Sequence, residues 1–379
     1  MQSPSRIKIT DVKLRRLKMI QDLGFIEPAW DVGGKMPFSV GGTPFVEIHT
    51  DAGIVGIGPG IEAGQIARAR EILIGQDPFD MERHEGVMRY HIRGAHYQGR
   101  AGLDIALWDI IGKASGQPLY KVWGGAKDKV PAYASMVRLS TIEERADLAV
   151  RLADEGWKAI KLRLHYQTLS EDVALVEKVR KAIGHRMEIM VDANQAQSSG
   201  NWQPGLFWDF RRAVETAREL QRLGVYWLEE PLPRYHFDQL ARLSEKVEMP
   251  IAGGENNPGI HEFVQMLEKN VYGILQPEGM VLGGMTPVRR IAVLADAYGK
   301  QVVPHHGGRG LGTVAHLHMV CALANSPYLE LLHDPPVGEY QHGWSMFTEP
   351  PVVDSEGYVA APQKPGLGVE IKPDWIEED

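Results

Sequence analysis

From about Lys129 onward, short apolar runs alternate with longer stretches whose apolar positions recur at helical spacing. The runs are VPAYASM, KAIKLRLH, EIMVDAN, VYWLEEP, PIAGGEN, GILQPEG, QVVPHHGG and PYLELLHD, eight in all. Between the polar residues near their ends (Arg163, Asp192, Glu229, Glu255, Glu278, His305 and Glu330) the chain advances about 23 to 37 residues, one strand plus one helix plus loops. Sandwich strands recur faster, and a doubly wound open sheet normally carries a Gly-rich turn after its first strand. The pattern therefore predicts a parallel β/α barrel.

Ahead of the barrel the pattern is strand-like from Ile7, and TPFVEIHTDAGIVGIGPG predicts a β-hairpin turned at Asp51-Ala52-Gly53. The preceding GFIEPAWDVGGKMPFSVGG is rich in Gly, Pro and aromatics and has no period, so it reads as a loop, either a plain connection or a lid over a site. GLDIALWDIIGKASG predicts a helix ended by Gly116. Just before it, RYHIRGAHYQGR gathers His91, Arg93, His96, Tyr97 and Arg100, as a solvated loop or as anion and substrate contacts. After Pro335 the period decays into a Pro- and Gly-rich tail, expected to pack back on the amino-terminal unit.

Composition narrows the class. A barrel alone uses about 250 residues, so 379 leave room for a second, smaller unit. Hydrophobic residues at 44% and charged residues at 24% suit a soluble globular protein. The net charge of -8, with no basic cluster interleaved with aromatics, argues against a nucleic-acid surface. Cys321 is the only cysteine, which excludes an internal disulfide and suits a reducing compartment. The first residues are basic but lack an apolar signal core, and no run approaches the roughly 18 residues of a membrane span. The expected location is cytoplasmic.

The chemistry concentrates at strand ends. Asp192, Glu229 and Glu255 each follow an apolar run in consecutive β/α units. A barrel brings the carboxyl ends of its strands to one face, so three carboxylates converge there. A lone carboxylate at such a place is commonly a helix cap; three hard oxygen ligands with open positions suit Mg²⁺. Side-chain alternation favours Glu229 over Glu230 as the one aimed at the centre. Lys161 and Arg163, two apart, project from the same face of an earlier strand. His305 is a candidate proton donor or acceptor, with an ordinary pKa of ~6.5. Glu278 is placed to hydrogen-bond its imidazole. Glu330, on the last strand, reads equally as a cap or a site residue. His165 and Asn194 join His91, Arg93 and Tyr97 as candidate substrate contacts. HHGGRGLGT lacks the spacing of a phosphate loop and predicts close backbone packing at a helix start, with Arg309 a lesser candidate for a distal anionic group. AHLHMVCAL reads as core.

These residues resemble the mandelate racemase branch of the enolase superfamily over nearly the whole chain. The resemblance implies a modified TIM (β/α)8-type barrel with an N-terminal α+β capping domain: residues 1–127 as the cap with its lid loops, 128–335 as the barrel, 336–379 as the returning segment. GLDIALWDIIGKASGQPLYKVWGG looks like the helix at the domain junction, and KPGLGVEI like the closing strand. It implies Asp192, Glu229 and Glu255 as ligands of one Mg²⁺, Lys161 and Arg163 in the two basic positions, and His305 paired with Glu278. Glu330 is implied as the acid that hydrogen-bonds the substrate carboxylate. Arg163 stands where the family usually has lysine, and a guanidinium with a pKa above ~12 is a poor base, so Lys161 or His305 would have to take the proton. Glu278 stands where it usually has Asp, so its longer side chain reaches His305 or the pairing moves to His306. The implied activity is dehydration of a sugar acid to a 2-keto-3-deoxy acid. A racemase, epimerase or cycloisomerase using the same enediolate, or a non-catalytic acid-sugar-binding relative, are the alternatives. Homo-oligomers are frequent among such barrels, and the small-molecule hydroxy-carboxylate is the expected partner, with no nucleic acid or membrane.

Overall fold

The computed structural model describes residues 7–92, 99–198 and 206–378. The amino-terminal part carries five strands: β1 (Ile9–Arg16), β2 (Met19–Ile26), β3 (Met36–Gly41), β4 (Pro44–Thr50) and β5 (Val55–Pro59). β1, β4 and β5 form an antiparallel sheet in that order, while among the described residues β2 and β3 pair only with each other. The predicted hairpin is β4–β5, and Gly53 at its turn takes φ 74, a region only glycine enters without strain. The helix Ala101–Ser115 lies across this sheet so closely that a Cβ on Gly58 would meet the Gly102 carbonyl oxygen at 2.1 Å. It ends at Gly116, with φ 65, where its sequence predicts.

The β2–β3 pair is a correction to the sequence reading, because β3 and the end of β2 lie inside the stretch taken for an irregular loop. Seven of the eight β2 residues are exposed or half-exposed, and the pairing shifts register between Met19 and Gln21 and between Asp22 and Gly24. With no buried face, there is no alternation to read.

The barrel strands are β6 (Lys129–Ser135), β7 (Ala159–Arg163), β8 (Glu188–Asp192), β9 (Leu228–Glu229), β10 (Ile251–Gly253), β11 (Ile274–Leu275), β12 (Gln301–Val302) and β13 (Leu329–Leu332). All eight predicted runs form strands, and neighbours pair in the order β12-β11-β10-β9-β8-β7-β6-β13. Every one of those pairs is parallel, so the sheet curls with its last strand beside its first. A fourteenth strand, β14 (Tyr358–Ala360), joins β6 antiparallel.

Alternation along the strands divides the core into two. Ile160, Leu162 and Leu164 of the β7 segment face the surrounding helices. Tyr133, Ala159, Met190, Trp227, Ala252, Ile274 and Val303 fill the barrel's interior floor. Above that floor, at the carboxyl ends, the inward side chains become polar. The cap is fastened to the barrel by buried Asp104, which accepts the N–H groups of Met285 (2.7 Å) and Thr286 (3.2 Å) and the Thr286 hydroxyl at the start of helix Met285–Ala297. The carboxyl-terminal segment returns to β1: the Lys18 N–H donates to the Trp375 carbonyl at 2.7 Å, and the Glu377 N–H to that of Arg16 at 2.9 Å. Among the described residues no helix is long and apolar enough to cross a membrane.

Candidate active site

Asp192 and Glu229 are the terminal residues of β8 and β9, and Glu255 lies two residues past β10. Because adjacent parallel strands end at one level, one carboxylate oxygen from each falls within 4.8 Å of the others. Each carboxylate is held in place. Asp192 takes the N–H of Asn194 at 2.7 Å, and Asn194 adopts φ 48 to provide it. Glu229 takes three donors: Lys161 Nζ at 2.7 Å, Gln276 Nε2 at 2.7 Å and the Trp227 indole N–H at 3.2 Å. Glu255 accepts from Asn256 at 2.7 Å and faces His305.

Glu229, the one that alternation favours, is the one in the acidic cluster, but Glu230 lines the cavity above it. Alternation excludes this only while a strand continues; β9 stops at Glu229, and Glu230 turns into φ 47.

β7 contributes two cations. Lys161 is fully buried, its Nζ between Glu229 (2.7 Å) and Glu330 (2.9 Å) and 3.9 Å from Asp192. Burial opposes its charge, but those carboxylates outweigh it and raise its pKa above the ordinary lysine value. Arg163 pairs with Asp192, donates through Nε to the Met136 carbonyl (2.9 Å) and through Nη2 to Ser135 Oγ (3.1 Å). Its guanidinium lies 5.1 Å from the Trp30 ring centroid, which brings the stretch before β3 over the site.

On the opposite side, the His305 Nε2 is 3.0 Å from Glu255 and 4.0 Å from Glu330. Its Nδ1 lies 2.8 Å from Glu278 Oε2. Burial works against an imidazolium, yet Glu255, Glu330 and Glu278 together raise His305 to about 10. Glu278 caps the short helix Gly279–Leu282, accepting the Met280 N–H at 2.8 Å and the Gly307 N–H at 2.9 Å. Against its own burial, the neighbouring histidines His316 and His305 hold it at about 2. Burial and the charge on His305 push His306 down to about 3, and its Nδ1 engages the Gly308 carbonyl. Glu278 thus pairs with His305 rather than His306. Glu330 sits within β13, not at its end, so its side chain lies deep beside Lys161.

A cavity of roughly 610 Å³ opens above these groups, lined by Arg163, Glu230, Glu255, His305, Asn194 and His165 together with Trp30 from the amino-terminal part. His91 does not reach it. The helix Met81–His91 runs through that residue and turns its ring against Arg68. Arg93, His96 and Tyr97 lie outside the described residues. Lys35 packs over Phe25, and Arg309 over Phe38, 4.2 Å from its centroid, while donating to the Pro37 carbonyl. The glycines before helix Leu311–Ala322 serve close packing: a Cβ on Gly312 would stand 2.0 Å from the Gly307 carbonyl oxygen.

Sequence reasoning passed over Trp227, Gln276 and Ser135. Trp227 was legible, since it stands two residues before Glu229 and shares its face. Gln276 and Ser135 carry no such mark, because their roles depend on which strands lie side by side.

Two family matches cover most of the chain: "Enolase C-terminal domain-like" over residues 144–375, and "Mandelate racemase / muconate lactonizing enzyme, N-terminal domain" over residues 39–124. Arabinonate dehydratase of Saccharolobus solfataricus is 31% identical over 88% of this chain and 89% of its own. D-galactarolactone cycloisomerase of Agrobacterium fabrum is 30% identical over 98% of each chain. The crystal structure of L-talarate/galactarate dehydratase from Salmonella typhimurium LT2, liganded with Mg and L-lyxarohydroxamate, superposes with a TM-score of 0.81 at 25% identity, covering 100% of this chain and 95% of that one.

Proposed function

This chain belongs to the mandelate racemase branch of the enolase superfamily, and from that premise we propose that it is a Mg²⁺-dependent dehydratase of a sugar acid, an aldonate or aldarate. The observation that carries the reading is the cluster of Asp192, Glu229 and Glu255 within 4.8 Å, with His305 Nε2 3.0 Å from Glu255 and two cations of β7 on the other side.

The donor set fits a hard divalent ion. It offers carboxylate oxygen from the carboxyl ends of three neighbouring strands, each oriented by its own hydrogen bonds, with an open cavity above for water or substrate. When bound, Mg²⁺ would supply positive charge at the substrate carboxylate, where the negative charge of an enediolate develops. The rest falls to side chains. A proton α to a carboxylate is very weakly acidic because its loss leaves a dianion, so fixed positive charge lowers the barrier. Lys161, clamped and charged, supplies it from below. Arg163, pinned by Ser135, Met136 and Asp192, presents a planar fork suited to a carboxylate. His305 carries a proton on Nε2 towards the β-hydroxyl, which leaves as water. Glu278 holds Nδ1 and so fixes the ring's orientation. The enol left behind becomes a 2-keto-3-deoxy acid.

Arg163, permanently charged, cannot itself serve as a base, so it is read as a clamp on the substrate carboxylate. Cycloisomerisation is the second reading, supported by the D-galactarolactone cycloisomerase likeness over almost the full chain. Incubating the Mg²⁺-loaded protein with a library of aldonates, aldarates and their lactones in D₂O, followed by ¹H NMR and semicarbazide detection, separates the two. A keto product with loss of water supports dehydration. Ring opening or α-deuteration without water loss supports isomerisation, and neither on any acid removes the proposal.

A further inference from the structure

β7 and the residues just past it point three basic side chains inward at successive heights, and the third has no part in the account so far. Lys161 lies at the bottom and Arg163 above it, both held by carboxylates. Ladder alternation continues past the end of the strand, since the Leu164 N–H bonds the Asp192 carbonyl at 2.9 Å and Leu164 is 4% exposed among the helix-facing residues. His165 therefore turns inward like Arg163, and it lines the same cavity as Glu255 and His305.

The His165 ring is fixed in orientation. Its Nδ1 is 3.2 Å from the Arg163 carbonyl, which can only accept, so Nδ1 carries the hydrogen and Nε2 the lone pair. The ring stacks on Tyr166 at 4.4 Å and 28°, and the Tyr166 hydroxyl is itself tied to the Ser140 carbonyl at 3.2 Å. Nε2 has no hydrogen-bond partner among the described residues. Burial, partly offset by the Arg163 carbonyl, and the charge of Arg145 keep the ring below the usual histidine range.

We propose that His165, through Nε2, is the general base that removes the α proton, taking the place of the base that a lysine at position 163 would provide. This rests on the dehydratase reading. In the step, the Cα–H bond breaks and its proton passes to His165 Nε2, while the electron pair enters the enediolate. The Cβ–O bond then breaks, and the hydroxyl leaves as water with the proton from His305. His165 follows β7 and His305 follows β12, strands that are not neighbours in the barrel sheet, and both line the one cavity.

The test uses a substrate that the wild-type protein turns over, followed in D₂O with Mg²⁺. His165→Asn is expected to lower kcat by about a hundredfold or more and to lose α-proton exchange, with Mg²⁺ affinity unchanged. His305→Asn should lose water elimination but retain exchange at the α carbon. A His165→Asn protein with kcat within threefold of wild type, or a His305→Asn protein without exchange while His165→Asn keeps it, overturns the assignment. Should the variant fail to fold, carbethoxylation of wild-type His165 by diethyl pyrocarbonate, located by peptide mapping, serves instead. Substrate should protect the residue, and equal labelling with and without substrate overturns the assignment. Absence of both exchange and elimination in the wild type over the whole acid library would instead remove the dehydratase reading itself.

Discussion

Glu278 Oε2 stands 2.8 Å from the Nδ1 of His305 and 2.9 Å from the Gly307 N–H, so one oxygen joins the loop before helix Gly279–Leu282 to the loop after β12. A glutamate at this position reaches the imidazole because it starts from a helix cap rather than from the strand. Replacing the charge while keeping the shape should leave the ring in place but less able to carry a proton. Glu278→Gln is expected to lower kcat by about 10²-fold, with KM within threefold, read by steady-state kinetics on the turned-over acid.

Arg163 is fixed by three partners and roofed by Trp30. A lysine there keeps the charge but loses the fork and the stacking face. Arg163→Lys should raise KM for the acid about tenfold, equivalent to roughly 1.4 kcal/mol, since one bidentate contact is removed. An unchanged KM would show that the guanidinium does not touch substrate.

The Arg145–Asp334 pair is buried, with both Arg145 Nη1 to Oδ1 and Nη2 to Oδ2 at 2.9 Å, and Asp334 also takes the N–H groups of Val137 (2.9 Å) and Arg138 (2.7 Å). It anchors the end of β6 and the residues after it, whose Ser135 hydroxyl and Met136 carbonyl hold Arg163. Asp334→Ala strands a buried guanidinium and two N–H groups. The expected cost is about 3–5 kcal/mol in chemical unfolding.

Asp104, at the junction of cap and barrel, is raised to about 6 by burial, against the three hydrogen bonds it accepts from Met285 and Thr286. Its folded pKa exceeds the unfolded value of ~3.9, so the folded state binds more protons between the two. The contribution to stability is full below about 4 and is lost as pH rises through about 6, by at most roughly 3 kcal/mol. Relative to Asp104→Asn, the wild type should therefore lose stability across that window, measured by thermal unfolding at pH 4 to 7. Parallel curves for the two proteins would rule this out.

Much of this architecture is legible in the sequence. The barrel strands announce themselves because most of their residues are buried and helical periods set them apart, and the residues closing β8 and β9 follow from that pattern. What failed did so where a local rule lost its premise. β2–β3 has no buried face to alternate, Glu230 joins the cavity lining from one residue beyond the strand whose alternation singles out Glu229, and Glu330 sits inside β13 rather than at its end. His91 was grouped with its sequence neighbours, but the helix carries it away from the cavity. The donors on Glu229 from Gln276 and on Arg163 from Ser135 arise only from strand adjacency, which no single segment encodes.

The central claim is that Asp192, Glu229 and Glu255 jointly hold one divalent cation beside His305. Isothermal titration of the metal-free protein with Mg²⁺ tests it most directly, alongside Asp192→Asn, Glu229→Gln and Glu255→Gln. The account predicts one ion per chain, with a thermal stabilisation that grows as the logarithm of Mg²⁺ above Kd, and affinity lowered at least tenfold in each variant. No uptake by the wild type, or uptake indifferent to all three substitutions, would contradict it.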